Sequence, residues 1–245
     1  MKECSKSISR RLRDPNFITK YFIGEGLDIG GQPDPLGLYC ELFPRVQRIR
    51  TWDLDDGDAQ VLSTIADEQF DFVHSSHCLE HLADPSEGLQ NWFRAVKAGG
   101  HLILIVPDED LFEQGVFPST YNRDHKWTFT IYKEHSWSAK SLNLLTLLME
   151  LGRQADIVKV ELLHATFRYQ LPRLDQTRSP IGECSIEVVV RKRPVEEVLR
   201  GGILPPAHAV TSREMKVHFN QYADDAETLR RANKEKPPFR NDKEL

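Results

Sequence analysis

The sequence predicts an α/β fold: a mostly parallel sheet with helices on both faces. Three observations carry this expectation. Short β-rich segments alternate with helical stretches from Gly26 to Val190, which is the pattern of βαβ units. One of them, His101 to Val106 (H-L-I-L-I-V), is an almost pure aliphatic run, as a strand buried on both faces of a parallel sheet requires. Finally, 40% of the 245 residues are hydrophobic and 28% charged, enough apolar material to fill the core of one large domain.

Each element has a local reason. Residues 1–21 read as a polar leader ending in a short helix, with Asp14-Pro15 as cap and first turn. Gly26 to Gly30 is a short apolar strand broken by glycine. Pro35 to Phe43 has helical spacing, with Leu36, Tyr39, Cys40 and Phe43 on one side. Arg48 to Leu54 and Phe70 to Ser75 are the second and third strands. Asp84-Pro85 opens a helix through Leu89, Trp92, Phe93 and Val96, which Gly99-Gly100 stops. After the aliphatic strand, Ser138 to Gly152 is expected as a helix with Leu142, Leu145, Leu148 and Met149 in one stripe. Ile157 to Leu163 and Ser185 to Val190 are β-rich. The main domain is therefore placed at 22–193, with a long insertion at about 107–137. Residues 194–245, punctuated by prolines and carrying one helix candidate at 212–233, form a polar tail. That tail could be an oligomer contact, giving a homodimer, or a mobile arm.

Composition removes several function classes. No apolar run approaches the roughly 20 residues of a membrane span, and the basic N-terminus lacks the apolar stretch of a secretory signal. A net charge of -5 argues against a nucleic-acid partner. Cys4, Cys40, Cys78 and Cys184 are widely spaced and form no C-x-x-C pair, which suits a reducing compartment. A cytoplasmic protein is expected.

The informative stretch begins at Gly26. A strand ending in L-D-I-G-G and followed by a proline-rich turn lets the backbone approach a ligand at the strand's carboxyl end, where open α/β sheets bind theirs. Asp53 ends the next strand, about 20 residues on from Gly31, where a carboxylate can accept both hydroxyls of a ribose.

G-L-D-I-G-G, T-W-D-L-D-D-G-D-A, F-D-F-V-H-S-S-H-C-L-E-H-L-A-D-P and V-K-A-G-G-H-L-I-L-I-V-P-D follow one another over residues 22–191. In that order they resemble the class I S-adenosylmethionine-dependent methyltransferases, most closely the small-molecule and glycan-type branch known as methyltransferase type 11. The resemblance implies a Rossmann-like sheet closed by an antiparallel terminal strand pair, here Ile157–Leu163 and Ser185–Val190, and S-adenosylmethionine as cofactor. It implies that Asp28, Gly30 and Gly31 face the methionine part, that Asp53 binds the ribose and that Leu54 lies beside the adenine. Asp58 and Ala59 would meet the adenine edge, and Ser75 to His77 would line the transferred methyl. One departure stands out: residues 55–69 are too few for the family's usual helix and third strand, so that strand is expected to be missing.

His77-Cys78-Leu79-Glu80-His81 also satisfies H-x-x-E-H, a zinc signature on helices. Here it follows a strand directly, Asp84-Pro85 would break a helix just beyond it, and the sequence offers no obvious third ligand. No metal is assigned, and His81 is expected to pin the loop.

Methyl transfer to a hydroxyl benefits from a base, whereas a neutral amine attacks unaided. The insertion at 107–137 mixes Phe112, Phe117, Tyr121, Trp127, Phe129, Tyr132 and Trp137 with Asp108, Asp110, Arg123, Asp124, His125 and His135. Long loops of this kind tend to form lids or binding loops, and rings among polar groups suit a sugar. His125 is the leading base, with His135 and Asp108 in reserve. The expected acceptor is a hydroxyl of a carbohydrate or similar polar small molecule. Transfer to another metabolite, including an amine, and a fold-related binding protein without turnover are the competing readings.

Overall fold

The computed structural model describes residues 2–203 and 224–231. Its centre is a six-stranded sheet. The strands in chain order are β1 (Gly24–Ile29), β2 (Val46–Trp52), β3 (Phe70–Ser76), β4 (Val96–Pro107), and then, beyond two short strands, β7 (Ala155–Leu163) and β8 (Ser185–Lys192). Their spatial order is β2-β1-β3-β4-β8-β7. The first four run parallel, and β8 is antiparallel to both β4 and β7. Each expected strand is present, and the antiparallel terminal pair is the one anticipated. Residues 57–69, where a further strand would stand, contain only turns. Leu62 and Ile65 are buried there against the sheet. The segment is held from α3 (Pro85–Ala95), where Trp92 Nε1 donates to the Ala59 carbonyl at 2.8 Å.

Strand alternation sends side chains to two cores. Leu102, Leu104, Val106, Ile186, Val188 and Val190 face the first, under α3 and α4 (Leu144–Met149). Asp84 caps α3 by accepting from the Ser86 and Glu87 N–H groups. Ile103, Phe72 and Val189 face the second core, which is covered by α1 (Glu3–Arg11) and α2 (Pro15–Tyr21). The stretch expected as a polar leader thus contributes Cys4, Ile8, Phe17 and Ile18 to a core. Its charged groups are packed inside as well: Glu3, Lys6 and Arg11 are buried alongside Cys4 and Ile8.

Three elements differ from the expected ones. The helix expected through Val96 ends at Ala95, and Val96 with Gly99-Gly100 already belongs to β4. Pro35 to Phe43 forms a 3-10 turn over Leu36–Leu42 rather than an α-helix. The helix expected over 138–152 is cut short, because Ser141–Asn143 (β6) pairs in parallel with Thr128–Thr130 (β5). Pairing with the insertion takes Leu142 out of the helical stripe, and only Leu144–Met149 remain helical. A short helix, α5 (Val195–Arg200), follows β8. Of the tail, residues 194–203 and 224–231 are described, the latter as a helical stretch. The rest of the 212–233 candidate, and the homodimer or mobile arm expected of the tail, lie outside the described residues. Among the described residues no helix is long and apolar enough to cross a membrane.

One buried carboxylate ties α1 to the sheet. Glu187 on β8 faces the second core and meets Arg11 Nη1 at 2.6 Å, Lys159 Nζ at 2.7 Å and Arg10 Nη1 at 2.9 Å. Burial raises its pKa, but the cations outweigh that and hold it at about 2 against an ordinary 4.5. Removing the carboxylate would leave the fully buried Arg11 uncompensated, so Glu187→Gln is expected to cost about 3–5 kcal/mol of stability in urea unfolding. The folded pKa lies below the unfolded one, so the contribution is complete above about pH 5 and is lost as pH falls through 4.5 towards 2. An unchanged unfolding midpoint in Glu187→Gln would contradict this role.

Candidate active site

The carboxyl ends of the parallel strands open into a cavity of about 630 Å³. Its floor is the turn after β1. Gly30 has φ +69°, and a Cβ there would meet Cys78 Sγ at 2.6 Å, while one on Gly31 would meet Asp28 Oδ2 at 2.5 Å. Only glycine leaves that floor bare and lets a ligand approach the backbone. The Gly30 N–H donates to the Trp52 carbonyl at 2.8 Å, binding the turn to the end of β2. Asp28 lies buried beneath. Its Oδ2 accepts from the Leu36 N–H at 2.7 Å, and its Oδ1 meets His74 Nδ1 at 2.7 Å.

Asp53 stands at the rim where β2 ends. Its Oδ1 accepts from the Leu54 N–H and its Oδ2 from the Gln32 N–H, both at 2.9 Å. These bonds fix the carboxylate while leaving lone pairs for further donors. Leu54 beside it is 91% exposed and forms an apolar flank. Ala59 completes this side. From the opposite side, Glu3 and Cys4 of α1 also line the cavity, a contribution that nothing in the sequence pattern signalled.

The other wall carries imidazoles and carboxylates. After β3 the chain turns sharply at His77, whose φ is +54°, and the 3-10 turn Leu79–His81 follows. Residues 122–126 of the insertion close over this turn: the Lys126 N–H donates to the Glu80 carbonyl at 2.8 Å, and Lys126 Nζ donates to the His81 carbonyl. His125 is thereby brought to the cavity, buried, with Nδ1 2.7 Å from Glu113 Oε1 and its ring stacked on Phe112. Burial lowers the His125 pKa against the pull of Glu80, so the imidazole is neutral near pH 7. Burial, and then the charge of Glu80, push Glu113 up to about 8. Burial works against the charge of Glu80 too, but His77, by contact and by charge, holds its carboxyl below the ordinary value. Glu3 and Glu80 in turn hold His77 above its own, although burial opposes that.

The cavity thus brings together Asp28, Gly30, Gly31, Asp53, Leu54, Ala59, His77 and His125 of the expected residues. Four others lie off its lining. Asp58 accepts from the Gln60 N–H in its own turn, and Ser75 is buried with Oγ donating to the Ile29 carbonyl. Asp108 caps the Glu109–Glu113 turn through the Asp110 and Leu111 N–H groups, and burial raises its carboxyl to about 7. His135 is 91% exposed in its side chain, with Glu134 its near neighbour. Nor do the insertion's aromatic rings line the cavity. Phe129 and Phe112 are consumed by cores, Tyr132 is exposed, and the lining from this segment is Asn122, Arg123, Asp124, His125 and Lys126. Glu80 was visible within H-x-x-E-H; Glu113 carried no sequence signal, because its approach depends on the tight turn over Glu109–Glu113.

A family model described as a methyltransferase domain matches residues 10–154. No curated protein matches the chain. Among solved structures, the chain is similar to an S-adenosylmethionine-dependent methyltransferase from Archaeoglobus fulgidus. Identity is 19%, the TM-score is 0.50, and the match covers 77% of this chain and 94% of that one. It is also similar to a protein from Listeria monocytogenes ascribed the same activity, with 13% identity, a TM-score of 0.51, and coverage of 79% and 99%. At these identities the two structures speak to the fold, which they share.

Proposed function

The chain belongs to the methyltransferase-domain family, with S-adenosylmethionine as methyl donor, and from that premise we propose that it methylates a hydroxyl of a carbohydrate or similar polar small molecule. The residues at the strand ends fit the donor. The bare Gly30-Gly31 floor would take its methionine part, the Asp53 carboxylate its ribose, and Leu54 with Ala59 its adenine. The cavity volume falls within the usual range of roughly 300–1,000 Å³ for small-molecule sites. When bound, S-adenosylmethionine supplies an electrophilic methyl on a sulfonium, a good leaving group.

The chain's own task is then alignment, worth up to about 7–11 kcal/mol, exclusion of water, and handling the acceptor's proton. The observation that carries the hydroxyl reading is His125, a neutral buried imidazole on the same cavity as Asp53 and backed by Glu113 at 2.7 Å. Its Nε2 is the atom to receive the acceptor's proton, and the Glu113 carboxyl at Nδ1 fixes the orientation of the ring. An amine that arrives neutral would need no such group. The polar mouth, with Asn122, Arg123, Asp124 and Lys126, supports an acceptor rich in hydroxyls. Cys4, Cys40, Cys78 and Cys184 are all free thiols, which supports a reducing compartment such as the cytoplasm.

Labelled-methyl transfer to parallel panels of sugars and polyols, amines, and flat phenols tests the acceptor class. Transfer is expected to sugars or polyols above the rest. Transfer confined to amines would overturn the reading.

A further inference from the structure

Glu80 is unlike any other carboxylate in the molecule's described part. It is fully buried, and neither oxygen meets a hydrogen-bond partner there. Burying an ionised carboxylate without partners is costly, yet imidazole nitrogens rather than apolar groups face it. His77 Nδ1 lies 3.5 Å and His125 Nε2 3.7 Å from Glu80 Oε1, too far for good hydrogen bonds. One ligand atom from each of Glu80, His81 and His125 lies within 4.8 Å of the others. Ligands held roughly 2.0–2.2 Å from a tetrahedral ion stand about 3.3–3.6 Å apart, close to the 3.7 Å between His125 Nε2 and Glu80 Oε1.

The outer ring of contacts has the same logic. His125 Nδ1 faces Glu113 Oε1 at 2.7 Å, and His81 Nδ1 donates to the Asp124 carbonyl at 3.2 Å. In both rings Nδ1 is engaged and Nε2 is left free to bind, the arrangement that orients metal-binding imidazoles. Of the motif H-x-x-E-H the cluster keeps Glu80 and His81 but not His77, and the fold adds His125 from the insertion, which the Lys126 N–H bond to the Glu80 carbonyl holds in place.

We infer that Glu80, His81 and His125 bind one divalent transition-metal ion of the zinc class, with its open coordination position toward the cavity. His81 and His125 both line that cavity, as does Gly30. Two imidazoles, one carboxylate and an open position are a catalytic rather than a structural donor set. The site deepens the reading of the acceptor side and rests on it for its purpose: an ion there seats the acceptor's hydroxyl and makes it more acidic. His125 then serves as a ligand, with the ion taking over its work on the proton.

The test is titration of chelator-dialysed protein with Zn²⁺, with S-adenosylhomocysteine titrated separately into each sample. One equivalent of Zn²⁺ is expected. His81→Gln and Glu80→Gln should each weaken it at least about 100-fold, and Glu113→Gln about 10- to 100-fold, while S-adenosylhomocysteine affinity holds. Co²⁺ bound to the wild-type chain should give the visible bands of imidazole ligation, a readout independent of how the variants fold. Wild-type protein that binds S-adenosylhomocysteine but no Zn²⁺ would overturn the site, as would Zn²⁺ affinity indifferent to both His81→Gln and Glu80→Gln. Zn²⁺ binding without S-adenosylhomocysteine binding would instead uphold the metal site and defeat the methyl-donor reading.

Discussion

The His125→Ala protein is expected to bind S-adenosylmethionine normally and to turn over about 100- to 10,000-fold more slowly, the usual worth of positioned acid–base catalysis. The donor contacts assigned here come from the β1 turn and the end of β2, whereas His125 enters from the insertion. The two functions are therefore separable. The imidazole is held by Glu113 on one side and by stacking on Phe112 on another, so its removal leaves a buried polar group exposed to a void. Measuring S-adenosylhomocysteine affinity and the melting temperature alongside turnover distinguishes lost chemistry from lost structure. Near-normal turnover would remove His125 from the mechanism, whether the ring carries a proton or a metal.

Asp53→Ala is expected to do the reverse. Hydrogen bonds to a charged group are each worth about 1.5–3 kcal/mol, so losing the carboxylate should weaken donor binding about 10- to 100-fold. The native carboxylate also ties Gln32 to Leu54 across the rim, so the alanine variant loosens the cradle as well as losing the acceptor atoms. Asp53→Asn retains one acceptor oxygen and should lie between the two. Calorimetry that finds Asp53→Ala indistinguishable from the native chain would contradict the ribose role.

The donor side was the more legible half of the molecule, for a physical reason. In a parallel sheet, ligand-binding residues follow directly from strand ends, so locating Leu27-Asp28-Ile29 and Thr51-Trp52 as strands places Gly30, Gly31 and Asp53 together. The missing strand was equally legible, because chain length between Leu54 and Phe70 sets a limit that packing cannot alter. The acceptor side depends instead on how an insertion folds back. Its aromatic rings look like a binding platform in sequence, yet Phe129 is needed to fill the core beside Leu144 and Phe112 to cover His125. The polar run 122–126 reaches the cavity in their place. Asp108 was consumed as a helix-turn cap, and His135 fell where the loop is exposed. The Leu142–Met149 stripe misled for a related reason: β6 borrows its first leucine for pairing, and Met149 ends exposed.

The most direct test is calorimetric titration of the purified chain with S-adenosylhomocysteine, paired with its melting curve. One binding site per chain and a melting temperature that climbs with ligand concentration are expected. Neither heat nor any rise in melting temperature, at ligand levels that saturate ordinary adenosyl-binding sites, would contradict the cradle formed by Gly30, Gly31 and Asp53.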